Sequence, residues 1–337
     1  MFSAADHEFM GQALALAGRG LYTTTPNPRV GCVVVRDGAV VGSGWHEKAG
    51  LPHAEVLALK EAGDRARGAA LYVNLEPCSH HGRTPPCVDA VIAAGVKRVV
   101  AAIQDPNPKV AGSGFAKLRA AGMVIELGLK EDEARELNIG FVLRMARGRP
   151  WVRMKIAASL DGRTALANGK SQWITGEVAR ADGHRWRARA CAILTGFGTV
   201  RDDDPQLNVR GVDTSRQPLK IVVDSKFETS PSARLLKEGK TLVVGAVNDA
   251  KRIASLKQAG AEVAIIPNDS SKVELFELMQ DLARRELNEI HVEAGAKLNG
   301  SLLQAGVVDE LLVYLAPSLI GDSGRGMFSL PELTELS

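Results

Sequence analysis

Apolar and polar positions divide the first part of the chain into short helices and strands. Residues 4–20 read as an amphipathic helix with Phe9, Leu14 and Leu16 among its apolar positions. The run Thr23-Thr24-Thr25-Pro26-Asn27-Pro28 cannot continue it. Residues 30–35 and 39–42 are apolar runs on either side of Asp37-Gly38, which predicts a hairpin. A helix is expected over 53–63, entered after Pro52 and stopped by Gly63, then a buried strand over 69–75. Next come a helix over 87–94, stopped by Gly95, and a strand over 97–103. A helix over 114–122, a strand over 123–127 and one long helix over 130–147 complete the series. Strands alternating with helices of this size predict an α/β layered domain.

Arg147-Gly148-Arg149-Pro150 follows a long helix and precedes a new apolar strand at 151–157, so the boundary is placed there, between domains 1–147 and 151–337. A second α/β alternation follows. Its strands are expected at 190–195, 219–224, 241–245, 262–266, 289–293 and 310–316. Its helices are expected at 177–189, 249–259, 272–287 and 298–305. A length of 337 residues suits two domains, each burying its own core.

Composition narrows the class. At 45% apolar and 24% charged residues the chain is globular rather than disordered. A net charge of +3 makes no concentrated basic field, and 4% aromatic residues leave few stacking platforms, so no nucleic-acid partner is expected. Cys32 and Cys191 fall in expected core strands, and no disulfide framework is visible, which fits a reducing compartment. Without a charged-then-apolar leader or a run of membrane-spanning length, a cytoplasmic protein with no membrane partner is expected.

The candidate chemistry centres on His53-Ala54-Glu55 and on the stretch from Glu76-Pro77-Cys78 to Cys87. One imidazole and two thiolates suit Zn²⁺, and three protein ligands leave a fourth position for a water made acidic by the metal. Glu55 is not needed as a ligand and can move protons. The pattern matches the zinc-deaminase signature, His-x-Glu followed by Pro-Cys-x-x-Cys, with eight residues between the cysteines instead of two. Residues i and i+2 do not share a helix face, so His53 and Glu55 can converge only from the first turn of their helix. Gly82, Pro85 and Pro86 force residues 79–86 to bulge out as a loop. Both thiolates are then expected at a helix N-terminus, which favours ionised sulfur. The rival is a structural zinc with His80 or His81 as its fourth ligand.

In the second half, Gly196-Phe197-Gly198-Thr199-Val200 follows a strand, but Arg201 stands where a dinucleotide fingerprint needs its third glycine. Gly295-Ala296-Lys297-Leu298-Asn299-Gly300-Ser301 runs from a strand into a helix and could hold a phosphate on free N–H groups. Lys155 to Arg163 places polar groups at the end of a buried strand. These stretches point to an anion or nucleotide pocket and to no particular reaction.

Taken together, Thr25-Pro26-Asn27-Pro28, Val30-Gly31-Cys32, Pro52-His53-Ala54-Glu55, the Glu76-to-Cys87 stretch, Gln104-Asp105-Pro106-Asn107-Pro108, Ser159-Leu160-Asp161-Gly162-Arg163, Ser171-Gln172-Trp173-Ile174-Thr175 and Glu293-Ala294-Gly295 resemble the bifunctional deaminase–reductase family of riboflavin biosynthesis. The resemblance runs in order from about residue 5 to about residue 330. It implies a cytidine-deaminase-like three-layer α/β domain followed by a dihydrofolate-reductase-like one. The first would hydrolyse the amino group of a diaminopyrimidine bearing a phosphoribosylamino chain, and the second would reduce the ribosyl chain with NADPH.

The resemblance implies His53, Cys78 and Cys87 as zinc ligands and Glu55 as proton shuttle. Asn27, His46 and Asn107 are implied pyrimidine or ribose contacts. Ala157, Trp173, Thr199, Asp203, Ser225 and the Gly295, Ala296, Lys297, Leu298, Asn299, Gly300 and Ser301 loop match NADPH positions. Ser171, Arg187, Leu207, Arg210 and Glu293 match substrate positions, and Lys155 is expected near the ribose. The phosphate calls for Arg, which can fork onto it with two hydrogen bonds. A small phosphorylated pyrimidine and further copies of the same chain are the expected partners. The family continues into a further strand beyond the point where this chain stops at Ser337, so a C-terminally shortened reductase domain is expected. The alternatives are a nucleoside or nucleic-acid zinc deaminase with a non-catalytic nucleotide-binding domain, and a zinc-stabilised binding protein without turnover.

Overall fold

The computed structural model describes residues 1–82, 84–108, 110–332 and 334. Ser337 lies outside the described residues, and so does the expectation of a shortened end. The chain divides into two compact units, Met1–Gly148 and Arg149–Ser337.

The first unit runs α1 (Ala4–Gly18), β1 (Gly31–Arg36), β2 (Ala39–Trp45), α2 (Ala54–Ala62), β3 (Ala70–Leu75), α3 (Cys87–Ala93), β4 (Arg98–Ile103), α4 (Ser113–Ala120), β5 (Val124–Leu127), α5 (Glu131–Leu137) and α6 (Ile139–Arg147). Its five strands are ordered β2-β1-β3-β4-β5. β1 is antiparallel to β2 and β3, whereas β3, β4 and β5 are parallel. The central strands are apolar at successive positions because both faces are covered. Cys32, Val34, Leu71, Val73, Val99 and Ala101 pack under α2, α3 and α4. Val33, Val35, Tyr72, Val100 and Ala102 pack on the other side with α1, α5 and α6. The result is the expected three layers.

Two backbone features set β2 and α2 in place. Asp37 and Gly38, at φ 51° and 78°, make the expected hairpin turn. A Cβ on Gly44 would lie 2.5 Å from the Ala54 carbonyl oxygen, so glycine there lets the start of α2 lie directly on β2. One expectation is corrected: residues 130–147 form two helices, not one. Asn138 breaks them at φ −111°, ψ 21°. Its buried amide accepts the Arg29 N–H and donates to the Arg29 carbonyl at 2.8 and 2.9 Å, a long-range pairing that overrides helical periodicity.

The second unit runs β6 (Trp151–Ser159), β7 (Arg163–Ala165), α7 (Glu177–Arg189), β8 (Ala192–Gly196), α8 (Phe197–Asp203), β9 (Leu219–Val223), α9 (Arg234–Lys237), β10 (Thr241–Gly245), α10 (Ala250–Gln258), β11 (Glu262–Ile265), α11 (Leu275–Arg284), β12 (Glu289–Val292), α12 (Ala296–Gln304), β13 (Glu310–Ala316) and β14 (Arg325–Gly326). The order β11-β10-β9-β8-β12-β6-β13 is parallel throughout. Because β12 returns between β8 and β6, the loops after β8 and β12 leave neighbouring strand ends, the usual place for a ligand crevice. The β7–β14 pair and the helices α8 and α9 were not anticipated, being only two to seven residues long.

Val152, Met154, Ile156, Ile290 and Val292 face one core with α11 and α12. Alternating with them, Arg153 and Glu289 turn polar groups to α7. Arg153 is 1% exposed and pairs with Glu289 and Glu310, with its guanidinium 4.1 Å from the Trp186 ring centroid. Arg189 of α7 also holds Glu289, at 2.8 Å. This buried ion cluster fixes α7 over the sheet, and Arg187 is carried with it.

Candidate functional site

In the first unit His53 is the N-cap of α2, Cys78 sits in the turn after β3, and Cys87 opens α3. Their ligand atoms all lie within 4.8 Å of one another. The His53 Nδ1 is 3.1 Å from the Cys87 Sγ and 3.5 Å from the Cys78 Sγ. Tetrahedral zinc with ordinary bond lengths sets such N–S edges at about 3.5 Å, so this donor set fits it. The Cys87 backbone N–H at the helix start donates to the Cys78 Sγ at 3.3 Å. The Cys87 thiol, and after it His53 and the Cys87 N–H, lower Cys78 to about 4 against the burial that would raise it, leaving Cys78 the thiolate of the pair. Its hydrogen bond to Cys78 and its own burial push the Cys87 thiol up. Among the described residues neither His80 nor His81 joins the cluster, which removes the four-ligand structural reading.

Glu55, in the first turn of α2, is 3% exposed, and its Oε2 has no hydrogen-bond partner. Burial, then the Cys78 thiolate, raises it to about 7. His46 presents its ring edge-on to His53 at 5.2 Å between centroids, and its Nε2 is 3.0 Å from the Asn27 Nδ2. Asn107 lies in the loop between β4 and α4, where its N–H donates to Asp105 at 2.8 Å.

In the second unit, the two glycine-bearing stretches meet. A Cβ on Gly295 would lie 3.9 Å from the Thr199 Oγ1, and one on Gly196 would lie 3.1 Å from Leu298. Lys297 and Ser301 are exposed on α12, Ala296 is half-buried, and the Asn299 amide donates to the Met327 carbonyl at 3.3 Å. A Cβ on Gly300 would lie 2.0 Å from the Ser329 carbonyl oxygen. Asp203 ends α8. Ser225 stands just past β9, with its Oγ accepting the Val273 N–H at 3.3 Å. Ala157 is on β6 in register with Tyr314. Trp173 is exposed, with the Arg180 guanidinium 4.6 Å from its ring, and Ser171 lies half-buried two residues before it.

Arg187, Glu293, Arg210 and Lys155 form a second group. Arg187 is held by Glu293 and by the Asn208 carbonyl. Arg210 is exposed and bonded to Gln206 and Asn208, both neutral, so it remains available for an anion. Leu207 is buried, at φ 49°, within the same loop. The Lys155 Nζ lies 5.9 Å from the Tyr314 ring centroid.

The cytidine and deoxycytidylate deaminase zinc-binding region matches residues 3–103, and the RibD C-terminal domain matches residues 150–337. The riboflavin biosynthesis protein RibD of Escherichia coli is 49% identical over 98% of this chain and 93% of its own length. That of Haemophilus influenzae is 47% identical over 100% and 92%. This chain belongs to the RibD family. RibD of Acinetobacter baumannii superposes with a TM-score of 0.91 at 45% identity, covering 98% of this chain and 91% of that one. The diaminohydroxyphosphoribosylaminopyrimidine deaminase/5-amino-6-(5-phosphoribosylamino)uracil reductase of Thermotoga maritima does so at 0.88, with 34% identity over 99% and 93%. This chain is thus a bifunctional deaminase and reductase of riboflavin biosynthesis, both hydrolase and oxidoreductase. It combines a zinc-binding deaminase domain with a reductase domain related to the NADPH-using reductases of the family. It acts on a small molecule, and none of its described helices is long and apolar enough to cross a membrane.

Three residues beside these sites were missed. His184 precedes Arg187 by one helical turn, and its Nδ1 accepts the Arg210 N–H at 3.2 Å. His291 on β12 stands two residues before Glu293, which directly follows that strand, and Glu76 directly follows β3. The spacings were readable in advance, but the partners were not.

Proposed function

We propose that residues 1–147 carry out the deamination, with His53, Cys78 and Cys87 holding the zinc and Glu55 moving the protons. The observation that carries this reading is the cluster of three ligand atoms within 4.8 Å beside the unpartnered Oε2 of buried Glu55. When bound, zinc supplies Lewis acidity that lowers the pKa of water towards neutrality. Glu55 takes one proton from the attacking water and gives it to the ring nitrogen, then takes the second from the added hydroxyl and gives it to the amino group, which leaves as ammonia while the carbonyl forms. A carboxyl near 7 is suited to both tasks. Asn27 and His46, held to each other at 3.0 Å, contact the pyrimidine or ribose together with Asn107.

Residues 151–337 carry out the reduction. NADPH supplies the hydride. Ala157, Trp173, Thr199, Asp203, Ser225 and residues 295–301 hold it, a reading supported by the approach of Gly295 to Thr199. Ser171, Lys155, Leu207, Arg210 and Glu293 align the opened ribosyl chain, and Arg187 orients Glu293. The protein's task is to align the two reacting carbons in a dry cleft.

The same reading makes this a cytoplasmic homo-oligomer without a nucleic-acid partner. Four cysteines free of disulfides, a net charge of only +3, and the exposed Leu311, Val313 and Leu315 on edge strand β13 support the compartment, the missing nucleic acid and the oligomer in that order. Mass analysis of the product from the diaminopyrimidine substrate tests the function. The deaminated mass is expected without NADPH, and the deaminated and reduced mass with it. An unchanged diamino compound in both arms overturns the reading.

A further inference from the structure

Glu76 follows β3 directly and is 2% exposed. Its Oε2 accepts the N–H of Asp105 at 3.2 Å and of Gly112 at 2.9 Å, and its Oε1 accepts the N–H of Phe115 at 3.2 Å. These donors bracket the segment that leaves β4, carries Asn107 and enters α4. Gly112, the N-cap of α4, has no side chain to satisfy the free N–H groups of the first turn. A carboxylate from beyond a neighbouring strand does so instead, with charge-assisted bonds.

The same turn of α4 rests on the turn that carries Cys78. A Cβ on Gly114 would lie 2.3 Å from the Pro77 carbonyl oxygen. The Ser79 and Ser113 hydroxyls are 2.5 Å apart, and the Lys117 Nζ donates to the Ser79 carbonyl at 2.9 Å. Glu76 itself lies outside the ligand cluster, and the deamination gives it no proton to move.

We propose that Glu76 is a positioning residue for the deaminase substrate, latching Asp105 and Gly112, on either side of Asn107, against the Cys78 turn so that Asn107 is held where the substrate meets it. This rests on the reading of Asn107 as a substrate contact. Without the latch the loop occupies its competent arrangement only part of the time, and apparent affinity falls by that fraction while turnover of the bound complex is kept. A glutamine at this position turns an NH₂ group towards donors and cannot replace both carboxylate oxygens.

The test uses the full chain with zinc. Glu76→Gln is expected to raise the deamination KM by about tenfold or more with kcat within a few-fold, because charge-assisted bonds are lost from the residues flanking Asn107 and the first turn of α4, not from the ligand residues. Zinc content, and reduction of the already deaminated compound, are expected to stay unchanged. An unchanged KM overturns the proposal. So does a fall in zinc content and kcat at constant KM, which would make Glu76 a support of the Cys78 turn. Amide exchange on the unsubstituted protein gives a readout independent of the variant's folding. The Asp105, Gly112 and Phe115 N–H groups are expected to be protected, and exchange at open-loop rates overturns the latch. Asn107→Ala separates the two readings. If it leaves KM unchanged while Glu76→Gln raises it, the latch stands and the role of Asn107 falls.

Discussion

Arg187 on α7 clasps Glu293 at the end of β12 through two parallel hydrogen bonds, Nε to Oε1 and Nη2 to Oε2, the second of 2.8 Å. The side chains are 17% and 16% exposed. Against the burial that would raise it, the Arg187 guanidinium holds Glu293 well below the usual carboxylate range. The third arm of Arg187 donates to the Asn208 carbonyl at 3.0 Å, so one guanidinium joins the strand end to the loop that carries Arg210.

Arg187→Ala is therefore expected to strand a mostly buried carboxylate, destabilising the second unit by roughly 3 kcal/mol. Thermal melts are expected to fall by roughly 5–10 °C. Adding Glu293→Gln to that variant is expected to recover part of the loss. Melting that is unchanged in Arg187→Ala contradicts the pairing.

Arg210→Ala is expected to weaken the phosphorylated substrate of the reductase by about ten- to a hundredfold in KM, the loss of one charge-assisted contact. The dephosphorylated compound is expected to be affected far less. Equal changes for both compounds remove the phosphate role.

His291 is 1% exposed, and its ring nitrogens have no hydrogen-bond partner. Burial, with Glu293 opposing and Arg187, Lys155 and Arg153 adding to it, lowers this imidazole to about 4 from its ordinary 6.5. Between those values the unfolded chain binds a proton that the folded chain refuses, so stability falls as pH drops from about 6.5 to about 4. The full loss is on the order of 3 kcal/mol. Denaturant melts at pH 7 and pH 4.5 are expected to show the slope, with His291→Leu flattening it. An equal slope in both proteins assigns the acid sensitivity elsewhere.

Cys87→Ser is expected to yield protein without stoichiometric zinc by metal analysis, because one thiolate of a three-ligand site is gone. Reduction of the deaminated compound with NADPH is expected to continue. Full zinc retention in the folded variant rejects Cys87 as a ligand.

Glu55→Gln keeps the side-chain shape and leaves all three ligands intact. Deamination is expected to fall roughly 10²–10⁴-fold, while zinc content and the reductase rate stay at their original levels. Loss of reduction with unchanged zinc and melting behaviour argues for one composite site rather than two.

Much of this protein was legible in its sequence because the signals are local. The Asp37-Gly38 turn, the doubly covered strands and the helix bounds 177–189 follow from backbone preferences and short periods. His53, Glu55, Cys78 and Cys87 were identifiable because zinc demands particular atoms, and the neighbouring helix starts and loop bring those atoms together.

Tertiary structure alone decided the rest. Asn138 divides a helix because of Arg29, which is 109 residues away in sequence. Glu76 reaches 39 residues along the chain to Phe115, and Arg187 reaches 106 to Glu293. Such pairings leave no periodic trace in the chain, since a buried polar group finds its partner through whichever strands the sheet order makes neighbours. The sequence by itself determined the elements and the metal-binding atoms. Only the packed sheets decided which loop each carboxylate holds, because an unpaired carboxylate is costly only after folding has removed its water.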